Sequence, residues 1–257
     1  MKRPCFNRLF CRSKCFLALL LVLPFVATEA AVVPDVYSVR VQVLDESEAE
    51  RVRGISAGLA QVIVKATGKS NLLQDIGVKD LLDRARRYVS EYRYIYPEQA
   101  GSGNPSLQIE YLAADIEAAL RDLQLPVWLA DRPPLLLWMT QTSANDRSLV
   151  DAEAPAYRSL LAALVNRGAT IEVPLMDLED QLRLGDLSEE NASQLALASA
   201  RYDVEHWLLV DYQIGDGIVS GSWTLAGKGL NSRELVEATT LTGFMINSSN
   251  KAVDRYA

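Results

Sequence analysis

Apolar and polar positions alternate between Pro34 and Leu44, with Tyr37, Val39, Val41 and Val43 on one side and Val36, Ser38, Arg40 and Gln42 on the other. A period of two predicts a half-buried strand. From Glu46 to Ala66 the spacing changes to three and four, placing Val52, Ile55, Leu59, Val62 and Ile63 on one helical face, with Gly68 positioned to end the helix in a left-handed turn. A shorter helix is expected over 77–85. An aromatic strand follows from Tyr88 to Tyr96, closed by Pro97, then a turn through 101–105, a strand over 107–112 and a helix over 115–125. The order β-α-α-β-β-α describes a small α+β domain over residues 31–125.

Residues 126–134 are a proline-rich joint, because Pro126, Pro133 and Pro134 stop regular structure and stiffen the chain. The second domain, 135–257, starts with the continuous apolar run Leu135 to Thr140, the pattern of a strand buried on both faces. A helix over 155–166 carries proline in its first turn and Gly168 after its end. A short strand over 170–173, a helix over 177–184 and a helix from Ser188 to about Arg201 come next. Strands over 207–212 and 218–225 are joined by Gly215-Asp216-Gly217, whose Asp-Gly pair suits a tight hairpin. A last strand over 234–246 and a helix from Ser249 complete an α/β domain with an added antiparallel hairpin.

The first 30 residues change how this acidic chain is read. Lys2, Arg3, Arg8, Arg12 and Lys14 precede an apolar run from Phe16 to Ala27, and Thr28-Glu29-Ala30 offers small residues at both cleavage positions. That layout is expected of a secretory signal peptide cut after Ala30. A membrane span requires about 20 apolar residues, and this run is shorter and contains Pro24, so no stable membrane insertion is expected after cleavage. Without it, 21 basic residues face 32 acidic ones, a formal charge of −11. Such a charge argues against nucleic-acid partners. Cys5, Cys11 and Cys15 all fall in the leader. The exported part therefore has no thiol for disulfides, and a periplasmic location is expected.

The motifs that suggest chemistry weaken on inspection. Gly54-Ile55-Ser56-Ala57-Gly58 matches a G-x-S-x-G elbow, with His206 downstream in hydrolase order. The elbow needs a buried strand before its serine, whereas Glu48 to Arg53 is charged and helical. The two glycines, one turn apart, suit close helix-to-sheet approach instead. A serine hydrolase using Ser56 and His206 is kept as a minor alternative. One histidine and no cysteine cannot build the nitrogen- and sulfur-rich sites zinc prefers. No metal, cofactor or catalytic residue is expected. Tyr92, Tyr94 and Tyr96 share one strand face and, beside Arg93, form a candidate binding strip. Trp128, Arg132 and Trp138 around the joint are candidates for lining an interdomain cleft.

The helix end Val62-Ile63-Val64-Lys65-Ala66-Thr67-Gly68, the tyrosine strand, Leu125-Pro126-Val127-Trp128, Arg132-Pro133 and Leu136-Leu137-Trp138 together resemble a bacterial envelope family carrying the domain of unknown function 2066 (DUF2066). The resemblance implies a Gram-negative origin and a C-terminus that continues past residue 257 in family members, and it implies no catalytic residues. In element order alone, the first domain is similar to the POTRA modules of outer-membrane assembly machinery, which accept strands by edge addition. The second is similar to the amino-terminal domain of TolB. The expectation is a non-catalytic periplasmic interaction or assembly factor with an envelope protein partner. A small-ligand or glycan-binding protein is the alternative.

Overall fold

A computed structural model describes residues 31, 35–97, 103–128, 131–143, 146–184 and 192–257. The leader and its three cysteines lie outside the described residues, as do residues 101 and 102 of the expected turn and the Ser188 cap. The architecture is mixed α+β in two parts, as the hydrophobic pattern predicts.

In the first part, β1 (Ser38–Gln42) and β2 (Val89–Ile95) both pair antiparallel with β3 (Ser106–Tyr111), giving the order β1-β3-β2. Helix α1 (Glu48–Thr67) covers one face, with α2 (Ile76–Asp83) and α3 (Ala113–Asp122) closing its sides. Ser47 caps α1 by accepting the amide of Glu50, and Gly68 ends it at φ 68°, returning its N–H to Val64. Val39, Val41, Leu107 and Ile109 from the sheet meet Ile55, Leu59, Val62 and Ile63 from α1. Gly54 and Gly58 set the helix-to-sheet distance. A Cβ on Gly58 would come within 2.5 Å of the Tyr111 hydroxyl, and one on Gly54 within 3.0 Å of Val43. The paired glycines are thus packing residues inside a helix.

The second part is built on β4 (Leu135–Ser143). This strand lies parallel to β7 (His206–Gly215) on one side, and on the other it pairs with β5 (Asp146–Leu149) and β6 (Ile171–Glu172). The sheet continues through β8 (Ile218–Gly227) to β9 (Leu230–Ala238), all antiparallel. Asp216 at φ 51° and Gly217 at φ 76° make the β7–β8 turn, as the Asp-Gly pair predicts. Helices α4 (Pro155–Asn166) and α7 (Leu241–Tyr256) cover one face over Leu137, Met139, Leu208 and Val210. Helices α5 (Leu178–Leu184) and α6 (Ala192–Ser199) belong to the opposite side, where Leu195 and Ala198 of α6 pack on Leu136, Trp138 and Trp207.

One expectation needs correction. The strand predicted over 234–246 ends at Ala238, because Thr240 accepts the Gly243 amide and caps a helix. Phe244, Met245, Ser248, Ser249, Ala252 and Val253 then follow a helical period and are all buried. Strand β5 carries only Leu149 and Arg147 as long side chains, and its four residues gave no periodic signal. Among the described residues, no helix is long and apolar enough to cross a membrane.

Candidate interaction site at the open edge of the first sheet

A three-stranded sheet has two edges, and here they differ. Tyr111 donates its amide to Tyr37 and Val43 donates to Pro105, so odd-numbered residues of β3 bond β1 and even-numbered ones bond β2. The outward backbone groups of β1 therefore belong to Ser38, Arg40 and Gln42. Three of these six groups, both of Ser38 and the Gln42 carbonyl, are occupied by the chain itself, whereas those of Arg40 have no partner among the described residues. Lys65 Nζ donates to the Ser38 carbonyl at 3.3 Å and to that of Asp35 at 2.9 Å, while the Ser38 amide donates to the Asp35 carboxylate. At the far end Arg53 Nη2 donates to the Gln42 carbonyl, and Glu50 takes the Leu44 amide at 2.8 Å. This edge is capped by side chains at both ends.

Strand β2 is the reverse case. Arg93 lies opposite Gln108 and Ile95 opposite Ser106, so these face β3, and the backbone groups of Tyr92 and Tyr94 point away from the sheet. Among the described residues nothing bonds them. A bulge between Val89 and Glu91, with Ser90 as the extra residue, ends the regular stretch.

Tyr92, Tyr94 and Tyr96 do share a face, the one turned toward α1. Tyr92 and Tyr94 meet edge to face at 6.3 Å, and Arg51 stands over the Tyr92 ring. Tyr96 donates to Glu46, which raises the pKa of its phenol above the ordinary value, since ionising it would place two anions together. The Tyr94 hydroxyl is buried without a partner. Tyr92 stays 45% exposed and Tyr96 59% exposed. Beside them a groove of about 300 Å3 runs between α1 and the β2 edge, lined by Ile55, Arg86, Val89, Ser90, Glu91 and Tyr92.

The residues around the joint do not line an open cleft, which corrects that expectation. Trp138 is fully buried in the second sheet, donating from its indole to Ser199 at 3.0 Å and meeting Tyr202 edge to face. Arg132 is 6% exposed and bonds the carbonyls of Gly168 and Trp128, its guanidinium 4.3 Å from the Trp128 ring centre. Trp128 also packs on Tyr256 and donates its amide to Ala66. Trp128 and Arg132 thus form a packed seam between the two parts, while Trp138 belongs to the interior of the second.

Next to the seam lies a groove of about 890 Å3 that sequence reasoning missed. Arg40, Gln61 and Lys65 line it from the first part, Asn166, Arg167 and Ile246 from the second. Desolvation lowers the Lys65 pKa, and among the described residues its ammonium has only carbonyl oxygens as hydrogen-bond partners. Arg167 Nε is buried with no partner. These residues lie far apart in sequence and share no motif, so only the fold brings them together.

Ser56 sits in the middle of α1, its hydroxyl donating to the Leu82 carbonyl at 3.2 Å. His206 begins β7, its Nε2 against the Lys228 carbonyl and its ring against Tyr256. The two residues are in different parts of the fold, with different neighbours.

Residues 30–129 match the model of a family described as a domain of unknown function, DUF8605. That span is the first domain and the start of the joint. It corrects the resemblance to DUF2066, which rested mainly on Leu-Pro-x-Trp and Arg-Pro. Trp128 and Arg132 are used here to pack a helix end against the second part, a demand that many unrelated folds share. No curated protein matches the chain. Among solved structures, a formyltetrahydrofolate deformylase from Pseudomonas putida KT2440 aligns over 71% of this chain and 90% of its own. Its identity is 12% and its TM-score 0.23, a likeness that carries no argument.

Proposed function

We propose that this protein is a non-catalytic interaction or assembly factor of the bacterial cell envelope, exported by its N-terminal leader. Its first domain accepts an extended polypeptide segment along the outer edge of β2. The observation that carries this reading is the contrast between the edges: Lys65, Arg53 and Glu50 cap both ends of β1, while the outward groups of Tyr92 and Tyr94 are left open. Added strands are held by main-chain hydrogen bonds and selected by side-chain pockets. The tyrosine face and the groove beside it supply the pockets.

A photo-crosslinking residue at Tyr92 in living cells tests this. Adducts that vanish when Tyr94→Pro removes an outward N–H support it, since proline is tolerated at a strand edge facing solvent. Absence of any adduct, with the protein folded by circular dichroism, overturns it.

The 890 Å3 groove favours a second reading, a small-ligand carrier that takes an anionic group against the Lys65 side of the groove. Native mass spectrometry of freshly isolated protein tests it. A retained small molecule lost in Lys65→Met supports it, and bare protein overturns it.

A further inference from the structure

Resting on the strand-pairing reading of β2, we infer that the strand it accepts is β2 of a second copy of this chain, making a two-fold dimer with a continuous six-stranded sheet. The hydrogen-bond parity limits how two such edges can meet. Only residues with outward backbone groups can form the bonded pairs, which allows the two-fold axis at Tyr92, Arg93 or Tyr94; at Arg93, Tyr92 would bond Tyr94 but the two arginines would stand opposite each other, a repulsive pair. With the axis at Tyr92, that residue bonds its own copy and Tyr94 falls opposite Ser90. Glu91 then stands opposite Arg93 of the other copy, twice by symmetry. With the axis at Tyr94, Arg93 would face Ile95 and no charges would match. The register at Tyr92 is self-complementary, as an isologous interface requires.

The single chain leaves those charges unsatisfied. Glu91 lies directly opposite Glu110 on β3, a like-charge pair that destabilises a sheet. Among the described residues neither Glu91 nor Arg93 has an ion-pair partner, and both are exposed. A second copy extends the row Glu110, Glu91 with an arginine, and the row Gln108, Arg93 with a glutamate. The rest of the fold leaves room, because the second part adjoins the β1 side of α1, where Asn166, Arg167 and Ile246 face Arg40. Each copy has one β2 edge, and the two-fold pairing uses both. Pairing therefore stops at two.

The test uses the full chain with Cys5, Cys11 and Cys15 replaced by serine. A bonded antiparallel pair holds its Cα atoms about 5.5 Å apart, inside the disulfide range of roughly 4.4–6.8 Å. Tyr92→Cys should therefore crosslink to itself in oxidised cells. Tyr94→Cys should not, because its copy lies four residues along, about 14 Å away. In sedimentation equilibrium, Glu91→Arg or Arg93→Glu alone should raise the dimer dissociation constant roughly tenfold, as two attractive cross-strand pairs become repulsive. The double variant Glu91→Arg/Arg93→Glu should restore it. Monomers at all concentrations, self-crosslinking at Tyr94→Cys, or a dimer indifferent to both reversals would overturn self-pairing. Adducts of other masses at Tyr92 in cells would then leave strand pairing with a different protein standing, and their absence would remove both readings.

Discussion

Arg167 at the end of α4 reaches 2.6 Å from the carboxylate of Asp254 in α7 and, through the same nitrogen, 2.9 Å from the carbonyl of Gly68 at the end of α1. One guanidinium thus ties three helix ends across the seam between the two parts. Asn250 takes its other terminal nitrogen, and Ser70 and Lys69 return hydrogen bonds to Asp254. The Arg167 side chain is only 8% exposed whereas that of Asp254 is 39% exposed, so the two halves of the pair differ in what their loss leaves behind.

Removing Asp254 strands a buried cation, and removing Arg167 strands an anion that water can reach. Asp254→Ala should therefore cost about 2–4 kcal/mol, and Arg167→Met less, in urea unfolding at neutral pH. Equal costs for the two variants would show that the guanidinium finds solvent.

Gly168 sits at φ 88°, and a Cβ there would lie 2.6 Å from the Lys65 carbonyl and 2.5 Å from Arg132 Nη1. The backbone contact has no flexible end to yield. Gly168→Ala should lower stability by more than the roughly 1–2 kcal/mol of a left-handed alanine, read as a fall in melting temperature. Gly217, at φ 76° with open space around it, should show the strain alone on substitution by alanine.

Gly54 and Gly58 were legible as packing glycines because their spacing of four marks one helical face, and the face they share with Ile55, Leu59 and Val62 had to meet a sheet. The tyrosine strand was legible by its period. Which of the two sheet edges stays open was not, since that depends on Lys65, Arg53 and Glu50 reaching β1 from a helix, in contacts no periodicity records. Trp138 was misplaced for a related reason. An aromatic near a proline joint reads equally as cleft or core until the covering helix is known, and α6 settles it by bringing Ser199 to the indole. The end of β9 was blurred because Leu241 to Ile246 is rich in residues that both strands and helices accept, and only Thr240 marks the change.

Trp138→Ala should unfold the region around α6 without touching any surface site. Truncating a fully buried tryptophan costs about 3–5 kcal/mol, and here it also leaves the Ser199 hydroxyl without its indole donor. The tryptophan fluorescence shielded from aqueous quenchers should shrink in this variant, with the buried Trp223 accounting for part of what remains. Partner adducts at Tyr92 should persist wherever the variant still folds.

The capped edge of β1 should be sensitive to acid. Glu50 accepts from Arg53 at 2.7 and 2.9 Å and from the Leu44 amide, and these bonds to its charged form hold its pKa at about 2, against an ordinary 4.5. A carboxylate depressed in the folded state contributes stability that is fully present above its unfolded pKa and lost as pH falls through the folded one. The window is therefore about 4.5 down to about 2. A carboxyl-detected NMR titration should place the Glu50 midpoint near the lower bound, and Arg53→Gln should move it upward. Amide exchange at Leu44, corrected for intrinsic rates, should quicken across the same window while the amides of β3 stay protected. A Glu50 midpoint near 4.5 would mean that the clamp at the Gln42 end of β1 does not form in solution, leaving only the Ser38 end of that edge capped by Lys65 and Asp35.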